Sequence, residues 1–166
     1  MIDVNKIEEN ERKFEKEVES LIEKHSENHA GSKEWQKTVG AILVENTNVL
    51  LVKRGHQPFK GTWTLPGGHI NDGETDIKAV IREVKEETGL DFKPEYFGSY
   101  EETFDEVGYY AYISIFYGDF KGKIDKKKVD INEILDIQWF DYKELADVKI
   151  GYEHRKIIEE YLISQR

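Results

Sequence analysis

The sequence predicts an α+β protein in which a mixed β-sheet is covered by helices. Three observations lead to this fold class. A hairpin signal opens the folded region, amphipathic helices lie near its middle and at its end, and several short strands lie between them. These elements do not alternate as a regular strand-helix-strand repeat, which favours a mixed sheet over a parallel one.

Each element is predicted from a local pattern. Residues 38–45 and 49–53 are rich in β-formers, and Asn46-Thr47-Asn48 between them suits the turn of a hairpin. Glycine and proline then predict a loop at residues 54–61. The later elements are a strand at 62–65, a helix at 74–88 that stops at Gly89, strands at 95–103 and 109–116, a charged loop at 121–130, a strand at 137–140, a short helix at 141–146 and a final helix at 151–164.

Length and composition predict a folded protein and exclude several classes of partner and site. The chain has 166 residues, 38% of them hydrophobic, and a net charge of −10. This charge argues against non-specific binding to nucleic acid or to an anionic membrane, although a divalent cation can still attach a phosphorylated substrate. The absence of cysteine excludes disulfides, thiolate zinc sites and a cysteine nucleophile. We find no signal peptide and no apolar run of about 18 residues, so we expect a soluble, cytoplasmic protein without a membrane partner.

Residues 1–34 are predicted to form a helical extension to a domain at residues 35–166. Five apolar residues recur at helical spacing between residues 4 and 28: Ile7, Phe14, Val18, Leu21 and Ile22. Ala30-Gly31-Ser32 is typical of a helix end and a short linker. We expect this helix to pack on the main domain or on a second copy of the chain. In the second case the protein is a homodimer, and sedimentation of a chain without residues 1–30 tests it.

The helix at residues 74–88 carries closely spaced carboxylates. Glu83, Glu86 and Glu87 fall within one arc of roughly 100°, where like charges repel one another. A separate apolar face is predicted to point to the core: Ile77, Val80, Ile81 and Val84. Such oxygen ligands suit Mg²⁺ or Mn²⁺. A solvated acidic face with Arg82 as a partner is the competing interpretation.

From Gly68 onwards, the sequence resembles the signature of the Nudix hydrolases. The signature is G-x5-E-x7-R-E-U-x-E-E-x-G-U, where U is bulky and apolar. The matching residues are Gly68, Glu74, Arg82, Glu83, Val84, Glu86, Glu87, Gly89 and Leu90. The fixed positions give a chance match on the order of 10⁻⁸ per start site, because each residue type is used at several per cent. The hairpin before this box and the strand at 137–140 also resemble the family, so the similarity extends from Trp35 to the C-terminus.

The resemblance implies a Nudix-type α/β/α sandwich with a mixed, curved sheet between helices. It also implies Mg²⁺-dependent, or Mn²⁺-dependent, hydrolysis of a nucleoside diphosphate linked to another group. Glu83, Glu86 and Glu87 occupy the metal-ligand positions of the family, where the carbonyl of Gly67 commonly joins them. The physical logic agrees, because metals neutralise diphosphate oxygens and help to ionise a water.

The resemblance implies further roles around these ligands. Glu83 is also the general base in some members, Arg82 is placed to orient it, and Glu74 supports the box. Glu133 lies where many relatives have an additional ligand or base. An acidic loop is another source of a base: Glu101, Glu102, Asp105 and Glu106. For each carboxylate outside the box, a solvated surface position is the competing interpretation.

Two segments resemble ADP-ribose pyrophosphatases in particular: RGHQPFKGTWTLPGG at residues 54–68 and GYEHRKIIEEYL at residues 151–162. The favoured substrate is therefore ADP-ribose or a nucleotide sugar. A proline usual about fifteen residues after the box is replaced here by Asp105 and Glu106. This departure keeps a MutT-like nucleoside triphosphate pyrophosphohydrolase as the alternative. A ligand-sensing Nudix module is a third reading, although the box is complete and no basic recognition helix is evident.

Several residues outside the box are candidates for substrate contact. Aromatic rings can stack on a base, and Phe104, Tyr109 and Tyr152 have core positions as their competing interpretation. Arg54 is a candidate either for a phosphate contact or for an ordinary surface ion pair. His69 occupies a variable position of the box and is expected to be a loop residue.

Overall fold

The computed structural model describes residues 34–166 and seven residues of the extension, namely Glu9, Arg12, Lys13, Lys16, Glu17, Glu19 and Ser20. The seven are helical, and Glu17 accepts a hydrogen bond of 2.6 Å from the hydroxyl of Tyr96. The five apolar residues of the predicted N-terminal helix lie outside the described residues. The role of this helix in forming a homodimer stays a prediction. No helix within the described ranges is long and apolar enough to cross a membrane.

Two sheets form the centre of the domain. The strands are β1 (Gln36–Ile42), β2 (Val44–Glu45), β3 (Asn48–Arg54), β4 (Trp63–Thr64), β5 (Gly67–His69), β6 (Asp91–Phe92), β7 (Glu95–Phe104), β8 (Tyr109–Tyr117), β9 (Phe120–Lys121) and β10 (Ile134–Asp141). The first sheet has the order β5-β1-β8-β7, in which only β1 and β8 are parallel. The second has the order β10-β3-β2, with β4 also paired to β3, while β6 and β9 form a separate ribbon.

Two helices cover opposite faces of these sheets. Helix α1 (Asp76–Thr88) packs through Ile77, Val80 and Val84 into a core with Val39 and Val52. Helix α2 (His154–Ser164) packs into a second core with other residues of the same strands: Ile157, Ile158 and Tyr161 against Ile42, Val49 and Leu51. Alternate residues of a strand point to opposite faces, so β1 and β3 are buried on both sides. The α/β/α sandwich and the α+β class predicted from the sequence are confirmed.

The ends of α1 explain its position. The side chain of Thr75 accepts a hydrogen bond of 3.2 Å from the Lys78 amide, which caps the first turn. Gly89 ends the helix in the left-handed conformation with φ of 83°, as the sequence predicts for a glycine stop. The helix begins two residues later than the predicted start at Glu74. Its carboxylate-bearing side faces β5, where Gly67 lies next to Glu87 and Gly68 lies next to Glu83.

The predicted apolar face of α1 is wrong at one residue, because Ile81 is 39% exposed whereas Glu87 is only 8% exposed. Ile81 and Glu87 each lie three residues from Val84, on opposite sides of it, at about 60° around the helix. The sequence pattern does not say which flank packs on the sheet. The sheet covers the Glu87 flank, so a carboxylate is buried where an isoleucine was expected.

The predicted hairpin is correct only at its tip. Val44 and Glu45 pair with Val49 and Asn48, and the amide of Leu50 donates to the carbonyl of Leu43 at 3.0 Å. The rest of the first segment, β1, leaves the hairpin and joins the other sheet between β5 and β8. Strand β3 takes β10 as its long partner instead. Local turn chemistry predicts the tip, but long-range pairing decides the partners of the longer strand.

Other differences concern short elements. The predicted helix at 141–146 is instead the end of β10 followed by a 3₁₀ turn at Leu145–Asp147. The final helix begins at His154 rather than at Gly151. The short strands β5, β6 and β9 were not predicted, because two or three residues carry too little periodicity to indicate a strand.

Candidate active site

A cavity of about 470 Å³ opens beside α1. The carboxylates of α1 line it, together with strand β5 and the residue Glu133. Arg54, Tyr109 and Tyr152 also line it, as do the buried side chains of Glu102 and His154. The lining therefore combines acidic groups with cationic, aromatic and buried polar groups.

Two glycines let strand β5 pass close to its neighbours. A β-carbon on Gly67 would lie 2.0 Å from the carbonyl oxygen of Val39 on β1. A β-carbon on Gly68 would lie 2.5 Å from a carboxylate oxygen of Glu83. The amide of Gly67 donates a hydrogen bond of 3.0 Å to Glu87. Glycine is therefore needed here for close backbone approach, and the approach places β5 directly against two of the three predicted metal ligands.

Arg82 holds the box together through its whole guanidinium group. Its Nε and one terminal nitrogen bind both carboxylate oxygens of Glu74, at 2.8 and 2.9 Å. The other terminal nitrogen contacts Glu83 at 2.9 Å and Glu86 at 3.2 Å. A further hydrogen bond of 2.9 Å reaches the carbonyl of His69. The rigid fork of arginine suits this arrangement, because it fixes several carboxylates at once.

Burial and the neighbouring negative charges disfavour the ionised forms of two of these carboxylates, Glu83 and Glu87. Burial raises the pKa of Glu83, although Arg82 opposes the shift. Burial and the charge of Glu83 raise the pKa of Glu87 well above its ordinary value, and Glu133 adds to both shifts. A divalent cation next to these oxygens would reverse the effect, because it favours their ionised forms. The donor set, which consists of oxygens only, fits Mg²⁺ or Mn²⁺.

In the part of the chain that the structure describes, no three acidic or histidine side chains converge closely enough to enclose a metal ion by themselves. Mg²⁺ seldom needs such an enclosure, because it usually keeps several waters and binds through one or two carboxylates together with substrate phosphate. The fit therefore depends on the carboxylate-lined cavity and on an anionic substrate that completes the site.

The predicted site residues fall into two groups. Gly67, Arg82, Glu83, Glu86, Glu87 and Glu133 all line the cavity. Glu74 is absent from the lining and contacts it through Arg82 and through the amide of Asn71. Within the acidic loop, Glu102 is buried and lines the cavity, whereas Glu101, Asp105 and Glu106 do not. The assumption that each of the four is a surface carboxylate is therefore wrong for Glu102.

The other candidates for substrate contact also separate. Tyr109 and Tyr152 line the cavity, whereas Phe104 does not and packs edge-on against Phe59 at 4.9 Å. Arg54 lies over the ring of Tyr152 with its guanidinium carbon 5.0 Å from the ring centroid. Its Nε donates to the carbonyl of Pro58 at 2.8 Å, and among the described residues it makes no ion pair. This position favours the phosphate-contact interpretation over the surface ion pair.

Sequence reasoning missed His154. It begins α2, is 4% exposed and lines the cavity beside Tyr152, with their ring centroids 5.3 Å apart. The four other histidines are no better marked by spacing, so nothing in the sequence distinguishes this one. Only the long-range pairing that brings α2 beside β7 reveals it.

The Arg82–Glu74 contact gives a prediction for stability against pH. The hydrogen bonds from Arg82 lower the pKa of Glu74 to about 2. The stabilisation is therefore fully present above the unfolded pKa of about 4.3, and it is lost as the pH falls towards 2. Because both side chains are partly exposed, at 16% and 26%, we expect Glu74→Gln to lose only roughly 1–2 kcal/mol of unfolding free energy at pH 7.

Urea denaturation of both proteins at several pH values measures this difference. It should shrink between about pH 4.3 and pH 2, since protonation removes the charged pair from the wild type as well. Asp72→Asn, an exposed carboxylate in the same loop, is the matched control and should show no such trend. A Glu74→Gln difference that is constant with pH would contradict the assignment.

Comparison with known proteins agrees with this geometry. The family model for the NUDIX domain matches residues 34–161. An ADP-ribose pyrophosphatase from Methanocaldococcus jannaschii is 36% identical over 125 residues, which are 75% of this chain and 71% of that protein. An NAD-capped RNA hydrolase from Vibrio atlanticus is 36% identical over 120 residues, which are 71% of this chain and 42% of that protein.

Solved structures share the fold. A NUDIX hydrolase from Nitrosomonas europaea has a TM-score of 0.72 and 28% identity, and the match covers 80% of this chain and 92% of that one. The NUDIX domain of Shewanella oneidensis NrtR, solved with ADP ribose, has a TM-score of 0.66 and 20% identity over 86% of this chain and 97% of that one. The family model and the relatives both extend well beyond the 23-residue box. The chain belongs to the Nudix hydrolase family.

Proposed function

We propose that this Nudix hydrolase cleaves the diphosphate linkage of ADP-ribose or of a related nucleotide sugar, with Mg²⁺ as its metal. The observation that carries the proposal is the composition of the cavity lining. Its carboxylates fit metal ions and a diphosphate, and Arg54 and buried polar groups in the same lining are available to the rest of the substrate. The archaeal relative named ADP-ribose pyrophosphatase supports the same substrate class.

In this proposal Glu83, Glu86, Glu87 and the carbonyl of Gly67 hold the metal. When bound, the metal supplies positive charge to the diphosphate and lowers the pKa of a water. The protein's own groups do the rest. Arg82 keeps the carboxylates oriented through the contacts described above, and Glu74 fixes Arg82 in turn.

Two carboxylates are proposed as the general base. Glu83 is half-buried, and its carboxylate lies against Gly68 of β5. Glu133 is exposed at the rim of the same cavity, immediately before β10. The chain offers a direct comparison, because replacing the base flattens the acidic limb of the pH–rate profile, whereas replacing a residue that only binds metal mainly raises the metal requirement.

Arg54 is proposed to contact a substrate phosphate. It lines the same cavity as the carboxylates and is held there by Pro58 and the ring of Tyr152. A guanidinium group can bind two phosphate oxygens at once, so it suits a diphosphate.

Product analysis tests the proposal. The wild-type protein, with Mg²⁺ or Mn²⁺, is incubated with ADP-ribose, nucleotide sugars and the common nucleoside triphosphates, and the products are identified by mass. AMP together with ribose 5-phosphate from ADP-ribose is the expected result. Absence of any phosphate or nucleotide product across the panel would overturn the proposal.

One observation favours a second candidate, a MutT-like nucleoside triphosphate pyrophosphohydrolase. The loop that carries a proline in ADP-ribose pyrophosphatases is here the 3₁₀ turn Asp105–Val107, outside the cavity lining. The same product analysis separates the two, because this activity releases pyrophosphate. No pyrophosphate from any triphosphate would remove the second candidate.

A further inference from the structure

We propose that Glu102 and Gln36 bind hydroxyl groups of the substrate's sugar in the part of the cavity between their side chains, and that His154 positions Glu102 for this contact. The proposal rests on the proposed function, because it concerns the same cavity and a sugar-bearing diphosphate. It adds residues outside the Nudix box that set the preference for a hydroxylated sugar.

Strand register places the two polar residues on either side of a small one. Gln36 on β1 pairs with Ala111 on β8, and Ala111 pairs in turn with Glu102 on β7. Residues directly opposite each other in neighbouring strands point to the same face of the sheet. With strands about 4.8 Å apart, the backbones of Gln36 and Glu102 are therefore roughly 10 Å from each other. Ala111 is itself buried, whereas Gln36 and Glu102 on either side of it both line the cavity. The part of the cavity between these two side chains is called the notch.

Both polar side chains have unused hydrogen-bonding capacity. Glu102 is 1% exposed and accepts one hydrogen bond, of 3.1 Å, from the Glu153 amide to its Oε2. No hydrogen bond to its Oε1 is found among the described residues. The side-chain oxygen of Gln36 is buried and has no partner among the described residues. Because a buried acceptor is normally satisfied, this oxygen and the unused Oε1 of Glu102 in the same cavity lining point to a ligand that donates hydrogen bonds.

His154 stands behind Glu102 in a fixed tautomer. Its Nδ1 accepts a hydrogen bond of 3.0 Å from the Leu65 amide, so its proton must be on Nε2. Burial, with Arg54 as a second cause, lowers the pKa of His154 to about 3, so the ring is neutral at pH 7. Nε2 faces Oε2 of Glu102 at 3.7 Å, too far for a hydrogen bond, and has no other partner.

The neutral His154 therefore forms no ion pair with the carboxyl group of Glu102. A protonated histidine would form a closed ion pair with Glu102, but the Leu65 contact prevents that protonation. Burial raises the pKa of Glu102 to about 7, as expected for a carboxyl group that lacks a strong partner inside the protein. Hydroxyl groups can both donate and accept, so neighbouring hydroxyls match the free oxygen of Glu102 and the amide of Gln36.

The same region is poorly suited to stacking a base. The ring of Tyr152 is already contacted by four groups. The distances from its centroid are 4.7 Å to the ring of Phe59, 5.3 Å to that of His154, 4.9 Å to that of Tyr109 and 5.0 Å to the guanidinium carbon of Arg54. These rings serve one another as packing partners, so polar contacts rather than stacking distinguish ligands here. The geometry favours the sugar over the base as the occupant of the notch.

The kinetic test compares substrates that differ by one hydroxyl. ADP-ribose is measured beside two analogues, one 2-deoxy in the terminal ribose and one 2′-deoxy in the adenosine. We expect the wild type to prefer ADP-ribose over one of the analogues by about 10–100-fold in kcat/KM, because a site built for a hydroxyl leaves polar groups unpaired without it. Glu102→Gln should lose this preference, and Glu101→Gln, its neighbour on the other face of β7, should keep it.

His154→Asn tests the positioning role, because the asparagine oxygen can replace Nδ1 as the acceptor for Leu65 while Nε2 is removed. We expect a higher KM for ADP-ribose with an unchanged kcat. Thermal melting of each variant establishes that it is folded. A wild type that treats all three substrates alike, or a Glu102→Gln protein that loses the same factor on all three, would overturn the proposal.

A binding measurement separates this proposal from the proposed function. AMP and ribose 5-phosphate are titrated into the protein by calorimetry, each beside its 2-deoxy counterpart. Weaker binding of one deoxy compound, abolished in Glu102→Gln, supports the notch even if the wild type hydrolyses none of the diphosphates. Equal binding of every pair overturns the notch even if hydrolysis of ADP-ribose is observed.

Discussion

Replacing Glu86 by Gln should lower kcat by about 10³-fold and leave the fold intact. The side chain is 57% exposed, and its contact with Arg82, at 3.2 Å, is the long one of the group. Loss of such an exposed pair costs about 0–1 kcal/mol of stability. The loss in rate is larger, because the amide no longer contributes a negative charge to the cation that activates the diphosphate. Steady-state hydrolysis and thermal melting measure the two effects separately.

The metal requirement makes this prediction specific. If Glu86 is a metal ligand, the Mg²⁺ concentration at half-maximal rate should rise in Glu86→Gln, since one ligand charge is missing. Glu159→Gln is the matched control, because Glu159 is an exposed carboxylate on α2, on the other side of the sandwich. Its kcat and its metal requirement should both equal those of the wild type. Full activity of Glu86→Gln with an unchanged metal requirement would show that Glu86 is a solvated surface residue and not a metal ligand.

The position of this site was largely predictable because its contacts are local. Gly68 and Leu90 bound a segment of 23 residues whose spacing alone puts the carboxylates on one side of a helix. Arg82 then reaches partners at most thirteen residues away in sequence, such as the carbonyl of His69. Contacts that form within one loop and the helix next to it can be predicted from a single sequence.

The positions of Glu102 and His154 in the cavity lining were not predictable, because their contacts are long-range in sequence. Glu102 and Glu153 are 51 residues apart, and the Leu65 amide binds His154 across 89 residues. These contacts exist only after β7, β8 and α2 have been assembled, and the sequence around each residue is unremarkable in composition. The same limit explains the error at β1, which the turn signal assigned to the hairpin although the parallel pairing with β8 dominates.

Burial of Glu87 shows a third limit of prediction from the sequence. The helical pattern predicts two flanks beside Val84, one apolar at Ile81 and one acidic at Glu87, and simple hydrophobicity favours the apolar flank for the core. The structure covers the acidic flank, where the Gly67 amide donates a hydrogen bond to Glu87. Local preference and packing disagree at this position, as is expected where function places a charge in the interior.

Two adjacent glycines of β5 should respond very differently to alanine. The nearest atom to the new methyl group at Gly67 is the carbonyl oxygen of Val39, at 2.0 Å, and the α-carbon of Gly40 is at 2.9 Å. Both belong to the backbone of β1, so the clash can be relieved only if the strands move apart. We expect Gly67→Ala to lose roughly 3 kcal/mol or more of unfolding free energy, in the range of severe overpacking.

Gly68→Ala should instead keep the stability and lose the activity. The new methyl group meets the end of a flexible side chain, the carboxylate of Glu83 at 2.5 to 2.9 Å, which can turn away. That turn breaks its 2.9 Å contact with Arg82 and withdraws a proposed metal ligand, so we expect unfolding within about 1 kcal/mol of the wild type and kcat lower by about 10²-fold. Urea denaturation and hydrolysis rates of both variants measure the contrast. Equal stability losses at the two positions would mean that β5 is held by its sheet alone, and that the close approach of Gly68 to Glu83 has no part in the reaction.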